Sequence, residues 1–404
     1  MSSLYKEDRI SLISRAAIFS SALLVLSNYY YLYFLEFSQG GGTSGAGLLA
    51  LVRVFAVFLL CSQLFRPVLR SSFRLEEILV LAFLIFGLLV ILLKTMFSQE
   101  GDWMYVNTLM CAIPLLLLRV RENLARFIFF FECCLLVLVL QVVGEFFIYF
   151  YGKSLWENKA FIGGLGNPSS FGILCDLLIA YLLFWRKKSF YSFFAFFLLC
   201  AGVVMTSSML PVLLLTFITV AWGMLRSGVK FAILCLSVAL LFMVFSDQIL
   251  SDHLRYKLAS MVGVIDGSQA DSSASVSVRV KIHKEYLESL GRDVPGFLFY
   301  GFSERYYNGV DSQLITYLSS FGLLASGGFW FYAVLSFCRS IFNSSRASIF
   351  FVVGIFIFII AFLFNRILDY YPMALFFFLI CMLPSSLDLS SPRNGGIDKG
   401  IEKI

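Results

Sequence analysis

Apolar runs of 18 or more residues recur along the whole chain and are separated by mostly short polar connections. A run of about 20 apolar residues has the length of a transmembrane helix. The pattern predicts an all-α polytopic integral membrane protein with about 12 transmembrane helices. We place them at 16–35, 46–65, 78–97, 103–118, 127–151, 169–185, 189–205, 208–225, 230–247, 313–337, 348–365 and 370–385.

Composition supports this class. Of the 404 residues 60% are hydrophobic and only 14% are charged, whereas soluble proteins carry about 25% charged residues. A soluble enzyme is therefore excluded. The net charge of +6 does not indicate a nucleic-acid partner, because the basic residues lie in short clusters between the apolar runs. All nine cysteines lie in or beside apolar runs, so no disulfide framework is expected.

The distribution of basic residues predicts the orientation. With the N-terminus inside, the seven inner segments hold 19 Lys and Arg, against four in the five short outer loops. Basic residues concentrate on the cytoplasmic side of membrane proteins, so both termini are expected there. Two outer segments are larger, at 152–168 and 248–312, and long loops cross regardless of their charge.

The chain is accordingly divided into four parts, and function is expected on the outer loops, since loops on a rigid scaffold carry binding sites. These parts are helices 1–9 with the small outer loop (1–247), a large periplasmic loop between helices 9 and 10 (248–312), helices 10–12 (313–385) and a cytoplasmic tail (386–404).

Residues 278–290 in the large loop predict an amphipathic helix. Tyr286 falls on its apolar side, with lysines and glutamates opposite. Arg279 and His283 fall on the same side of this helix as the apolar residues. Two interpretations are open. Arg279 snorkels to a lipid phosphate while His283 caps a backbone group, or Arg279 faces an anionic ligand with a titratable histidine one turn away.

Among the charged residues inside predicted helices, three share a similar depth: Arg53, Glu145 and Asp176. Each is about 10 Å below the predicted outer surface. Their common depth indicates a polar pocket, and the alternative is that Arg53 pairs with one of the acids. Arg305 and Asp311 lie where the large loop returns to the membrane, and Asp311 has a second interpretation as a helix cap.

The pattern resembles a family, the Wzy-type polymerases of O-antigen and capsular repeat units, in the O-antigen polymerase/ligase superfamily. Besides the topology, three stretches carry the resemblance. They are Gly163-Gly-Leu-Gly-Asn-Pro-Ser-Ser-Phe-Gly172, then Arg279 followed by Pro295 and Tyr300-Gly-Phe, and finally Asp311-Ser-Gln-Leu followed by Phe321-Gly. The chain departs from the family at Lys159, where ligase relatives often have arginine. It also departs at Asp311, where they have histidine, and at Ser303, where the family has glycine.

The resemblance implies a GT-C-like membrane glycosyltransferase in the bacterial inner membrane, with its active site facing the periplasm. The implied substrate is an oligosaccharide on undecaprenyl pyrophosphate. Implied partners are the lipid bilayer and, in the same pathway, a chain-length regulator and a flippase. No cofactor is implied, and the two histidines and the lack of a D-x-D motif predict a metal-independent reaction.

Roles follow from the chemistry that the resemblance implies. Arg279 would stabilise the departing pyrophosphate, since a guanidinium forks onto phosphate. Asp311 would be the general base, with His283 as the second choice. The predicted lipid-pyrophosphate or glycan-binding residues are Arg53, Lys159, Asn167 and Arg305.

Two alternatives stay open. One is an O-antigen ligase of the same superfamily. The other is a flippase of lipid-linked oligosaccharides or another transporter, although the sequence shows no two-fold repeat.

Overall fold

A computed structural model describes most of the helical part of the chain. The described residues are 10–30, 45–97, 105–121, 124–156, 159–186, 189–228, 284–286, 288, 294–301, 312–342 and 346–386. Over these ranges the chain forms eleven longer α-helices and two short strands. The helices are α1 Leu12–Leu26, α2 Gly45–Leu64, α3 Leu75–Met96, α4 Tyr105–Leu117, α5 Leu124–Phe150, α6 Pro168–Ala180, α7 Phe190–Met205, α8 Met209–Ser227, α9 Gln313–Phe342, α10 Arg346–Phe364 and α11 Tyr371–Ser386, and the strands are β1 Phe65–Leu69 and β2 Leu118–Val120.

The helical membrane class is confirmed. Among the described residues, five helices are long and apolar enough to cross a membrane, and six shorter ones are apolar as well. The helices overlap eleven of the twelve predicted ranges, and the ninth, 230–247, lies outside the described residues. The long ones are Leu75–Met96, Leu124–Phe150, Pro168–Trp185, Met209–Arg226 and Gln313–Phe342.

The last helix, α11, lies at the centre of the bundle. Every side chain from residue 371 to 384 is buried, as expected for a helix that is apolar on all sides. Phe377 contacts the rings of Phe329 on α9 and Phe362 on α10, with centroids 5.4 and 5.0 Å away. Aromatic packing of this kind explains much of the phenylalanine content.

Two predicted inner connections form a short ribbon. Strands β1 and β2 pair antiparallel, with Phe65 opposite Val120 and Arg66 opposite Arg119. The pairing places the connection after α2 and the connection after α4 at the same end of the bundle. The predicted topology also places both connections on the inner side. The sequence pattern indicated loops for them and not paired strands.

Ion pairs gather at the same end as the ribbon. Glu76, in the first turn of α3, pairs with Arg339 near the end of α9. Arg70 pairs with Glu77 at 2.9 Å. Carboxylates in the first turn of α3 also interact favourably with the helix dipole. Predicted inner connections therefore contact one another through salt bridges.

Helix α9 is broken, whereas the sequence pattern predicts a continuous helix at 313–337. Gly322 has φ 77°, which interrupts the helix inside the bundle. A π-helical turn, Gly296–Tyr300, packs against the break, and a Cβ on Gly322 would lie 2.9 Å from the backbone of Phe299. The large loop therefore contacts the bundle at this break.

Part of the predicted amphipathic helix in the large loop is described. Tyr286 is buried, whereas Lys284, Glu285 and Glu288 are exposed, so the predicted sidedness is confirmed for these residues. Burial raises the pKa of the Tyr286 phenol to about 12.

Candidate functional site at the polar end of the bundle

The end of the bundle opposite the ribbon carries a second group of polar contacts. Its centre is the carboxylate of Glu145, near the end of α5. The Tyr30 hydroxyl donates to it at 3.1 Å. The backbone N–H groups of Ile162 and Gly163 donate at 3.0 and 2.5 Å. These three donors offset the cost of burying the carboxylate, which is only 4% exposed.

Gln141 extends this contact by one helical turn. Its side-chain oxygen accepts from the backbone N–H of Gly164 at 3.1 Å. Its amide nitrogen donates to the carbonyl oxygen of Leu26 at 3.0 Å. Residues four apart lie on one helix face, so Gln141 and Glu145 together hold three consecutive amides. We call Gln141, Glu145 and residues 162–164 the loop clamp.

Glycine is required where the clamped loop meets α1. A Cβ on Gly164 would lie 1.9 Å from the carbonyl oxygen of Leu26, and Gly166 has φ 74°. The G-G-L-G part of the motif therefore reflects close approach of two backbones and a left-handed turn. The loop is a rigid platform leading into α6.

Asn167 and Pro168 begin α6. The Asn167 side-chain oxygen accepts from the Ser170 N–H at 3.0 Å, which is an N-cap, and proline occupies the first helical position. The Asn-Pro pair is therefore explained by its position at the start of α6. Asn167 is half-buried, and a glycan contact by its side chain stays a prediction.

A cleft lies between the end of α5 and the small outer loop. It is a shallow cleft open to solvent, with an enclosed volume of about 10 Å³, and Glu145, Tyr149, Lys153, Lys159 and Phe161 are among the residues that line it. Both lysines are exposed, and Lys159 Nζ lies 5.7 Å from the centroid of the Tyr149 ring. The cleft therefore combines two cations with one edge of the loop clamp, an arrangement that suits an anionic ligand.

The backbone of Lys159 is strained. Its φ is 56°, which a residue with a side chain adopts at a cost. Such a conformation persists where the surroundings hold it. The clamp begins three residues later, at Ile162, so the strained residue lies beside a segment that is held by hydrogen bonds.

Arg53 lies half-buried on α2 near the same end. Its Nε donates to the Asn28 side-chain oxygen at 3.0 Å, and its guanidinium lies 5.6 Å from the Tyr371 ring centroid. It pairs with neither Glu145 nor Asp176 in the part of the chain that is described. Arg53 therefore contacts the side-chain amide of Asn28 and the ring of Tyr371, where the sequence had suggested an ion pair with one of the acids.

Among the described residues, the cleft is lined by Glu145 and not by Arg53 or Asp176, so the pocket common to all three stays a prediction. Asn28 and Tyr30, in one turn after α1, contact Arg53 and Glu145 respectively. Asp176 is fully buried on α6, and among the described residues neither of its oxygens has a hydrogen-bond partner. The described contacts therefore bring together two of the three charged residues.

Lys94 is a buried cation near the end of the predicted helix 78–97. It is 9% exposed, and its Nζ donates to the carbonyl oxygen of Ser320 at 3.0 Å, just before the break in α9. A cation at an interrupted helix satisfies a carbonyl oxygen near the break. Nothing in the local sequence distinguishes Lys94 from a loop lysine.

Four predicted site residues lie outside the described residues: Arg279, His283, Arg305 and Asp311. Asp311 is followed at once by Ser312 and Gln313. The backbone N–H of Gln313 donates to the Asn365 carbonyl oxygen at 3.2 Å, and its side-chain oxygen accepts from the Leu368 N–H at 3.0 Å. The chain after Asp311 is thus attached to the connection between α10 and α11.

That connection reaches the clamped loop as well. The Asn365 side-chain nitrogen donates to the Ser169 hydroxyl at 2.6 Å. The start of α9 and the start of α6 therefore contact the same residue. Within the described ranges, no group of three His, Cys, Asp or Glu side chains is arranged to hold a metal ion.

Sequence reasoning missed Gln141 and Lys94. The spacing of Gln141 and Glu145 in an otherwise apolar run could have indicated a polar stripe on α5. Lys94 carries no such signal.

Comparison with known proteins does not identify a family for this chain. No family profile matches the chain, and no curated protein matches it.

Proposed function

We propose that this protein is a polymerase of lipid-pyrophosphate-linked oligosaccharide repeat units in the bacterial inner membrane. In this proposal it has twelve spans with both termini cytoplasmic, and the polar end of the bundle faces the periplasm. The growing glycan moves from its undecaprenyl pyrophosphate carrier to the next lipid-linked unit. The observation that carries the proposal is the cleft in which Lys153 and Lys159 lie beside Glu145.

The chemistry requires cations beside a leaving phosphate. A hydroxyl of the acceptor sugar attacks the anomeric carbon of the donor, and the bond from that carbon to the pyrophosphate oxygen breaks. Negative charge develops on the departing lipid pyrophosphate, where fixed cations stabilise the transition state. Arg279 is the proposed main contact, and Arg53, Lys159 and Arg305 support it.

The attacking hydroxyl must lose its proton. Asp311 is the proposed acceptor and His283 the second candidate, because either can serve as a general base at hydrogen-bond distance. Glu145 is less suited to this role, since three donors already occupy its oxygens. Its proposed function is to hold the loop that carries Lys159.

The test is reconstitution into vesicles with purified lipid-linked repeat units and no ion gradient. The parent protein should form a ladder of glycans that differ by one repeat unit. The K153Q/K159Q variant should lose at least about tenfold in rate, since single electrostatic contacts contribute 10²-fold or more. Lys187→Gln, in a predicted inner connection, is the matched control and should keep the parent rate.

The broken helix α9 favours the flippase alternative, because interrupted helices line substrate sites in many transporters. The same vesicles separate the two functions. Movement of repeat units across the bilayer without any polymer would support a flippase. Transfer of preformed glycan to a lipid A core acceptor would support a ligase.

A further inference from the structure

The register of the ribbon sets two arginines side by side. Phe65 and Val120 are opposite each other and buried, with 1% and 6% exposure. Because side chains alternate along a strand, the next opposite pair, Arg66 and Arg119, faces away from the core, and both are exposed. Opposite residues of an antiparallel pair have Cβ atoms about 5 Å apart.

Like charges directly opposite each other destabilise a strand pair, and an anion bound beside both would relieve that repulsion. Within the described chain, the side chain of Arg66 has no ion-pair or hydrogen-bond partner. The neighbouring arginines act inside the protein. Arg121 and Arg126 donate to the carbonyl oxygens of Phe65 and Gln63, both at 2.8 Å, and so satisfy backbone groups at the end of α2.

Apolar side chains are exposed beside the arginines. Val68 and Leu69 on β1 are 56% and 66% exposed, although both are aliphatic. The ribbon lies where the apolar helices α2 and α4 end and α3 and α5 begin. Cationic groups next to exposed aliphatic groups at this depth are typical of a segment in the headgroup region of a bilayer.

We infer that the ribbon binds the headgroup of an anionic phospholipid. Arg66 and Arg119 hold the phosphate, since guanidinium groups fork onto its oxygens. Val68 and Leu69 contact the start of the acyl chains. The site is at the end of the bundle opposite the cleft and does not depend on the proposed polymerase.

The test uses the full-length protein in a non-ionic detergent. Its thermal unfolding is followed while phosphatidylglycerol or phosphatidylcholine is added, since a ligand of the folded state raises the unfolding midpoint. Phosphatidylglycerol should stabilise the protein, and phosphatidylcholine should not. The R66Q/R119Q variant should bind phosphatidylglycerol about thirtyfold more weakly, because each arginine near an anionic surface contributes about a fivefold factor.

The R15Q/R226Q variant is the control, because it removes two other exposed arginines and the same total charge. It should bind phosphatidylglycerol as the parent does. Should R66Q/R119Q not unfold cooperatively, R66K/R119K takes its place. That variant keeps the charge without the fork and should bind measurably more weakly than the parent. An equal loss in the control, equal binding of both lipids, or displacement of the lipid by millimolar inorganic phosphate would overturn the inference.

Discussion

The carboxylate of Glu145 accepts the backbone N–H of Gly163 at 2.5 Å, and this bond joins the end of α5 to the loop that leads into α6. It is the shortest of the three bonds to this carboxylate. The contact explains why an acid can lie in an apolar helix and why the G-G-L-G segment has one conformation.

Glu145→Gln should destabilise the folded protein by about 1–3 kcal/mol, because one oxygen becomes an NH₂ group that cannot accept and leaves a buried donor unpaired. Thermal or chemical unfolding in detergent measures the change. Glu288→Gln, at an exposed position, should change the free energy of unfolding by less than about 0.5 kcal/mol. Equal effects of the two variants would show that the clamp is not a stabilising contact.

Gly164→Ala should cost at least about 3 kcal/mol or prevent folding, since its Cβ would overlap the Leu26 carbonyl oxygen. Gly144→Ala is the matched control on α5, where a Cβ would meet no atom within 4 Å. That change should stabilise the helix by about 0.5–1 kcal/mol. Monodispersity and unfolding midpoints of both variants check the prediction, and a well-folded G164A would contradict the close approach.

Arg279→Ala should abolish polymerisation at normal membrane levels of the protein, and Arg279→Lys should keep only a small part. Lysine supplies the charge but not the planar fork that matches phosphate. The assay is glycan formation in reconstituted vesicles. Full activity of R279A would show that Arg279 is a surface residue that only reaches towards lipid.

Asp311→Asn should reduce polymerisation by at least about 10²-fold with substrate binding retained, because the amide removes a base yet keeps nearly the same shape. As an N-cap, asparagine is about as good as aspartate, so stability should hardly change. Rate and binding are measured separately. A variant near the parent rate would make Asp311 a helix cap, and His283 would be tested next.

Cysteines introduced at Ser273 and Lys187 test the orientation. An impermeant thiol reagent added from the periplasmic side should label S273C and not K187C, because the large loop is predicted outside and the Arg186–Lys188 cluster inside. The described native cysteines are buried or half-buried, which keeps their background low. The reverse labelling pattern would end the twelve-span proposal.

The sequence was sufficient to predict where the helices lie. Burial of a backbone in lipid demands helices, so a long apolar run has only one common outcome. Helix α5, expected at 127–151, is found at Leu124–Phe150, and α6, expected at 169–185, begins at Pro168. The N-cap at Asn167 is likewise a local matter, because an asparagine before proline has few other conformations.

Contacts between distant segments were beyond the sequence pattern. Gln141 and Glu145 acquire their partners only when α5 lies against α1 and the loop before α6. The ribbon needs two connections about 50 residues apart in the chain to meet in register. The local sequence does not indicate the partners of Gln141 and Glu145 or the pairing of the two strands, because both depend on how the helices pack.

One tetrapeptide that occurs twice shows what the sequence determined and what the tertiary structure decided. Ser-Ser-Phe-Gly occurs at 169–172 and again at 319–322. In the first copy Gly172 is a regular helical residue that packs against Pro211, whereas in the second Gly322 breaks the helix at φ 77°. The apolar pattern by itself determined that both copies lie in membrane helices. Only the tertiary structure decided which helix breaks, because the turn at Phe299 and the ammonium of Lys94 pack against the second copy and satisfy the break.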